Sequence, residues 1–557
     1  MQRLELTWIG KGAEPQVEPR ILLHDPSKDY GDPNTENMLI HGDNLLALKA
    51  LEQQYAGQVK CIYIDPPFNT GQAFENYDDN LEMSIWLTLM KSRLRVLHSL
   101  LAINGTLFVH IDDQNLAYIT LLLDEIFGRK NRLYLITFKQ GAATGHKAIN
   151  PGCVTTTNFL LMYAKDKSAW KPNKVYTKRG RDDRYTKYIT NVDDCFENWN
   201  IISLMEAYST EAGVDLKTAR KQVKINPMLL EQFVLNHATS VIRTARPDIK
   251  NVGKDIQDKI SESARNPEKI LYLHRVGNPD MYFIAGERIL FYKDKLKCID
   301  GEIVSAEPLT TLWDDILSNN LHAEGSVSFP KGKKPEYLIK RVLELSTDEG
   351  DLVLDSFLGS GTTVAVAHKM NRKWIGIEMG NQAYTHCKPR LDAAINGVDN
   401  SGITKAVNWQ GGGGYRFYEL ASTLIVKDQY GNPVFSEKYN ATMLTAAVAK
   451  INGFFYAPDP EVYWKQGFSQ DNSFIYVTTQ YLTATMLDSI ARELGPMERL
   501  LVCAPAFDVG IGKRYDNINV RKIPASVLEK CEFGVDNYNL NIVNPPELDD
   551  EEEWEDD

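Results

Sequence analysis

The sequence predicts an α/β fold built on a mostly parallel sheet, on three observations. Short, continuously apolar runs such as "MLIH", "CIYI", "LVLD" and "WIGIE" read as strands covered on both faces. Amphipathic stretches of helical period alternate with them, which is the grammar of strand–helix–strand crossovers. That grammar breaks off after about residue 165 and resumes near residue 311, so a single sheet is expected from two distant halves of the chain.

In the first half, a strand ends at Gly42-Asp43. A helix follows with Leu45, Leu46, Leu48 and Leu51 on one side, and Cys61–Ile64 forms the next strand. Helix "SIWLTLMKSRLRVLHSLL", strand "GTLFVHID", helix "QNLAYITLLLDEIFG" and strand "LYLITF" come after it. In the second half, a helix in "KKPEYLIKRVLELS" leads to strand "LVLD", the glycine-rich turn "SFLGSGTT", helix "VAVAHKM" and strand "WIGIE". The expected organisation is residues 1–165 and 311–420 as the two halves of one domain, with an insert at 166–310. A further α/β module at 421–546 and an acidic tail at 547–557 complete it.

A chain of 557 residues is too long for one ordinary core, and two to four domains are expected. Hydrophobic residues make up 43% and charged residues 24%, with neither a bilayer-length apolar run nor a signal-peptide core at the start. Seven cysteines without a CxxC pair argue against a zinc knuckle or a disulfide framework and for a reducing cytoplasm. The net charge of −12 weighs against a nucleic-acid partner at first sight, but the tail "ELDDEEEWEDD" carries much of it. By contrast "KPNKVYTKRGRDDRYTK" is locally basic, with Tyr176, Tyr185 and Tyr188 in or beside it. It reads as a phosphate-contacting, base-stacking stretch or as a solvated loop.

Two motifs carry chemistry. "DPPF", residues 65–68, puts an acid, two prolines and an aromatic ring at the lip of a buried strand, either a rigid turn or a rigid holder. In "DSFLGSGTT", Gly359 and Gly361 let backbone approach a ligand at a helix N-terminus, and Glu378 ends the next strand, where an acid can grip ribose hydroxyls. The turn lacks the lysine of a phosphate-binding loop, so an adenosine ligand with little phosphate character fits better than a triphosphate.

Together "IHGD" (40–43), "DPPF" and "DSFLGSGTT" resemble the β class of DNA amino-methyltransferases, in which the catalytic motif precedes the cofactor motif. Within that class the sequence most resembles the modification subunits of type III restriction systems. "DPPFNTG", the helix with Trp86, Met90 and Arg93-Leu94, "DEIFG", "KKPEYLIKRVLELS" and "NWQGGGGYRFYEL" support this. The resemblance implies a circularly permuted Rossmann-like fold, S-adenosylmethionine as cofactor and methylation of adenine N6 in double-stranded DNA. It also implies a homodimer and a separate nuclease-helicase subunit. Asp65 and the Pro66 carbonyl would accept the two amine N–H groups, Pro67 would stiffen the turn, and Phe68 would stack on the extruded base. By the same resemblance Asp43, Lys334, Asp355, Phe357, Gly359, Gly361, Thr362 and Glu378 surround the cofactor. Asp43 reads equally as a helix N-cap, and Asp355 as a residue that only orients the turn. DPP rather than SPP favours adenine N6 over cytosine N4, by likeness alone. A methyltransferase for RNA amines and a DNA-binding specificity subunit with little catalysis are the rival classes.

The insert would hold the target-recognition region, with Arg179, Arg181, Arg184, Arg243 and Arg246 as candidates for base edges. It reads as helical stretches such as "TARKQVKINPMLLEQFVLNH" and short strands "KILYLHR", "MYFIAG" and "RILFYK". The acids of "HIDDQN" read as a helix cap and those of "PDPEVYWK" do not have nuclease spacing, so no metal site is expected.

Overall fold

In the computed structural model, residues 5–12, 16–68, 82–141, 152–316, 321–329, 332–531 and 533–534 are described. The acidic tail and the "NTG" that follows DPPF lie outside them. Contacts divide the chain into two units, residues 1–173 with 310–557 and residues 174–309.

The first unit is organised by an eleven-stranded sheet. Its strands run, from edge to edge, Leu22–His24, Gly414–Leu420, Met38–His41, Lys373–Glu378, Leu352–Asp355, Val59–Ile64, Leu101–Ile111, Thr157–Ala164, Arg132–Lys139 and Leu312–Trp313. Tyr30–Gly31 pairs beside Gly414–Leu420. The six strands from Gly414–Leu420 through Leu101–Ile111 are parallel. The two halves separated in sequence therefore form one sheet, and their seam is the pairing of Val353 with Cys61 and Leu354 with Ile62.

At that seam the strand order reverses. From Val59–Ile64 the chain proceeds outward to Leu101–Ile111, and from Leu352–Asp355 it proceeds the other way to Lys373–Glu378. Such a switch point opens a crevice at the carboxyl ends of the two strands. Asp355 ends one of these strands and Asp65 follows the other directly. Helices Asn44–Tyr55 and Met83–Leu100 pack their leucines on the sheet with Trp86 and Met90 in a continuous apolar core. Because both faces are covered, the strands need no polar alternation, which is why they read as apolar runs.

Residues 421–531 add a five-stranded sheet, Phe455–Tyr456, Gly467–Phe468, Ser473–Val477, Arg499–Ala504 and Ile518–Lys522, with helices Ala441–Ile451 and Ala484–Glu493. They cluster with the first unit. Buried Glu18 reaches the Leu424 amide at 2.8 Å and the Thr423 hydroxyl at 2.9 Å, and Lys450 donates to the Ala50 carbonyl of helix Asn44–Tyr55.

The second unit carries a six-stranded antiparallel sheet and a three-stranded one. The helix expected across "TARKQVKINPMLLEQFVLNH" is two, Leu216–Ile225 and Met228–Asn236. Pro227 divides them, since it supplies no N–H and disfavours helix at the residue before it. Residues 166–173, expected in the insert, group with the first unit: Asn173 bonds the Leu345 and Thr347 carbonyls.

Candidate active site

The DPPF turn is fixed from several sides. Trp86 Nε1 donates to the Pro67 carbonyl at 3.0 Å and Asn115 Nδ2 to the Phe68 carbonyl at 2.5 Å. Among the described residues nothing donates to the carbonyl of buried Pro66. The Phe68 ring packs 5.7 Å from His110, whose Nδ1 is 2.9 Å from the Tyr63 hydroxyl and whose Nε2 is 3.1 Å from Asn158 Nδ2. Burial, aided by the nearby Lys334 charge, holds His110 well below the usual imidazole range. It is a neutral, fully buried prop for the ring.

Asp65 meets Lys334, 269 residues away: Nζ lies 2.5 Å from Oδ2 and 5.3 Å from the centre of the Phe68 ring. The other oxygen, Oδ1, is buried with no hydrogen-bond partner among the described residues. A buried acceptor without a donor is costly, and such atoms in native folds call for an explanation. Burial raises the Asp65 pKa, and the Lys334 ammonium opposes that rise. Lys334 was expected to face the cofactor; its recorded contacts are with the DPPF turn.

The glycine turn lies across the seam. Gly359 and Gly361 have φ of 56° and 80°, which a side chain would strain. Gly376, in mid-strand, makes room for the turn, because a Cβ there would come within 2.7 Å of Leu358 and 2.9 Å of Val364. Glu378 is buried, and its carboxylate accepts from the amides of Gly359 at 2.7 Å and Gly380 at 2.9 Å. Asp355 accepts from the Phe357 amide at 2.9 Å, which orients the turn as one of its two readings required. Burial raises the Asp355 pKa to about 7; the Asp65 and Glu378 charges add to the rise, and Thr363 and the Phe357 amide oppose it. Phe357 packs partly buried on the core.

Thr362 begins helix Thr362–Lys369 and accepts from Arg390 Nη1 at 2.8 Å. Arg390 also reaches Glu336 at 2.8 Å; Glu336 pairs with Lys369, and Lys369 with Asp399 at 2.6 Å. This buried network was not anticipated from sequence, because nothing local marks which charges in an amphipathic helix face inward.

Asp43 is committed elsewhere. One oxygen accepts from the Leu46 amide at 3.0 Å, capping helix Asn44–Tyr55, and the other is 3.3 Å from fully buried Arg93. The N-cap reading describes it. Asn44 Nδ2 donates to the Ser356 carbonyl at 2.8 Å, so this helix start braces the glycine turn.

In the second unit four of the five singled-out arginines pair with acids. Arg184 makes a two-pronged contact with Asp182 at 2.8 and 2.6 Å, Arg181 pairs with Asp183, Arg246 approaches Glu287 at 3.6 Å and Arg179 Glu307 at 4.0 Å. Arg243 differs: it lies 5.4 Å over the Tyr185 ring, and its Nε is buried without a partner among the described residues. Arg288 has the same unsatisfied Nε. Arg243 pairs with Leu290 and Ala245 with Arg288 across the strands, so the two arginines share one sheet face. Arg288 escaped the sequence reading because "GERILFYK" alternates like any half-buried strand.

Asp112 accepts from the Asn115 amide at 3.3 Å, and Asp459 from the amides of Glu461 and Val462, as turn-forming acids do. Among the described residues no cluster of three His, Cys, Asp or Glu could hold a metal, and no helix is long and apolar enough to cross a membrane.

Comparison with known proteins gives the family. The chain is 35% identical over 416 residues to the probable type III restriction-modification enzyme HindVI Mod subunit of Haemophilus influenzae, covering 69% of this chain and 54% of that protein. It is 25% identical over 429 residues to the EcoP15I Mod subunit of Escherichia coli, covering 66% and 62% respectively. The chain thus spans little more than half the length of these relatives. A solved structure, the M1.HpyAVI-SAM complex, overlaps 64% of this chain and 99% of that one at 15% identity with a TM-score of 0.32, too shallow to bear on function. The family model described as DNA methylase matches residues 59–388, more than half of the sequence, and the chain belongs to that family.

Proposed function

We propose that this chain is a site-specific DNA methyltransferase that moves a methyl group from S-adenosylmethionine to adenine N6 in duplex DNA. The observation that carries the reading is Asp65 Oδ1, without a partner among the described residues, with the Pro66 carbonyl at the carboxyl edge of the seam that also bears the glycine turn.

The residues fit a cationic adenosine ligand. Asp65, Asp355 and Glu378 converge closely enough that the Asp65 and Glu378 charges raise the Asp355 pKa, and a positive ligand relieves that repulsion. Phe357, the 359–363 backbone and Glu378 would hold the methionine and ribose portions. S-adenosylmethionine supplies an electrophilic methyl on a sulfonium. The protein deals with the amine, a poor nucleophile because its lone pair is delocalised into the ring. Asp65 Oδ1 and the Pro66 carbonyl accept the two N–H groups and draw the nitrogen toward tetrahedral geometry, so that its lone pair becomes available. Proline at 66 and 67 and the bonds from Trp86 and Asn115 fix these acceptors, which matters because a misplacement of about 1 Å costs roughly a hundredfold in rate. Phe68 offers the extruded base a face for stacking.

In this reading residues 174–309 recognise the DNA, with Arg243 and Arg288, which share a sheet face and each keep a buried Nε without a partner among the described residues, as candidate readers. The chain works as a cytoplasmic homodimer and as the modification subunit beside a separate restriction subunit; the similarity to Mod subunits of type III restriction-modification enzymes supports the last of these. Mass spectrometry of nucleosides from DNA of cells expressing the chain tests the substrate. N6-methyladenine is expected; N4-methylcytosine in its place, or methylation confined to RNA, contradicts the assignment.

A further inference from the structure

We propose that Lys334 is a positioning residue of the catalytic carboxylate: it engages one oxygen of Asp65 and so presents the other, Oδ1, to the substrate amine. This rests on the methyltransferase reading above and deepens it.

Lys334 is held in place from both sides. Lys333 donates to the Glu324 carbonyl and, at 2.6 Å, to the Val327 carbonyl. After Pro335, Glu336 anchors the helix start through its amide to Glu324 at 3.0 Å and its buried carboxylate to Arg390, Lys369 and the Ile403 amide. Because Arg390 also bonds Thr362, the network that fixes Lys334 is tied to the glycine turn. The Lys334 ammonium therefore reaches Asp65 from a braced backbone, with Nζ 5.3 Å from the centre of the Phe68 ring.

Other ionisable groups facing this spot come from each neighbouring strand. Tyr63 and His110 are held neutral by burial, far above and far below their usual ranges. Asp112, at the end of the His110 strand, accepts from the Asn115 amide. Asp355, whose pKa burial raises to about 7 with help from the Asp65 charge, is bonded to Phe357 and Thr363. Lys334 is the cation recorded on Asp65 among the described residues. An ionised acceptor is needed to take an amine N–H, and burial works against ionisation. Lys334 offsets that burial and fixes which oxygen stays open.

The test is the pH dependence of kcat/KM for methyl transfer to duplex DNA by the full chain, as wild type, Lys334→Gln and Lys334→Arg, with cofactor affinity measured by calorimetry for each. Loss of the positive charge lets the Asp65 pKa climb, so the acid limb of Lys334→Gln moves up by about one pH unit or more while activity recovers at high pH. Lys334→Arg keeps the charge and returns the limb toward its wild-type position. An acid limb that stays in place in Lys334→Gln overturns the proposal, whatever the loss in amplitude. So does a defect confined to cofactor affinity, which places Lys334 on the cofactor instead. A limb set by Asp355 does not move up, since a less ionised Asp65 raises the Asp355 pKa less. Failure of the wild type to transfer methyl at any pH would refute the methyltransferase reading itself, and is thereby told apart from failure of the Lys334 proposal.

Discussion

At the scale of single residues, each acid near the seam has its own task, set by what touches it. Asp43 and Asp355 both end in Gly- or Ser-flanked strand exits, and sequence alone allowed two readings of each. Their partners decide: the Leu46 amide and Arg93, fifty residues on, for Asp43, and the Phe357 amide, two residues on, for Asp355. Arg93 replaced by Ala leaves Asp43 buried without its cation, and a loss of about 3–5 kcal/mol in stability by urea unfolding is expected. Asp355 gives a pH signature. Its folded pKa of about 7 exceeds the unfolded value, so between about pH 4 and 7 the native state binds a proton that the unfolded state has released. Stability from this group is greatest below the unfolded pKa and is lost as pH rises through 7. The melting temperature of the wild type is expected to fall across that window, and Asp355→Asn to flatten the decline.

At the scale of elements, the strands bordering the seam were legible because strands covered on both faces are uniformly apolar, and the glycine turn because its backbone requires glycine. The DPPF strand exit was legible for the same reason, as prolines there are otherwise unfavourable. In the second unit the short strands in "KILYLHR", "MYFIAG" and "RILFYK" were legible as strands and form at Leu271–Leu273, Met281–Ile284 and Glu287–Phe291. A half-buried antiparallel strand shows only alternation, however, which does not say which arginine lacks a partner. Arg243 and Arg288 share a face, each with an Nε unsatisfied among the described residues, whereas Arg184 is already engaged by Asp182. Arg288→Gln and Arg243→Gln are expected to weaken DNA binding by about tenfold or more in fluorescence anisotropy, and Arg184→Gln to change it little. Equal losses in all three variants would show that pairing with acids does not separate readers from surface charge.

At the scale of the whole molecule, the sheet is one object made by two stretches of chain, and the intervening unit is an excursion from it. The excursion closes on itself: the Leu309 amide donates to the Val175 carbonyl at 3.0 Å, so its ends lie side by side. Replacing residues 174–309 by a short Gly-Ser linker should leave a folded first unit, with a cooperative melt and cofactor binding by calorimetry within a fewfold of the intact chain, but without sequence-selective DNA binding. Sequence placed this excursion at 166–310; contacts place its ends at 174 and 309, because only tertiary bonds such as those of Asn173 reveal where the chain leaves the sheet.

The central claim is that Asp65 and Pro66, brought to the glycine turn by the pairing of strands Val59–Ile64 and Leu352–Asp355, hold an amine for methyl transfer. Single-turnover transfer of labelled methyl to duplex DNA by wild type and Asp65→Asn, with cofactor binding measured on both, tests it most directly. Transfer by the wild type, with a loss of about a thousandfold or more in Asp65→Asn at unchanged cofactor affinity, is the predicted result. Comparable transfer rates in the two proteins would contradict it.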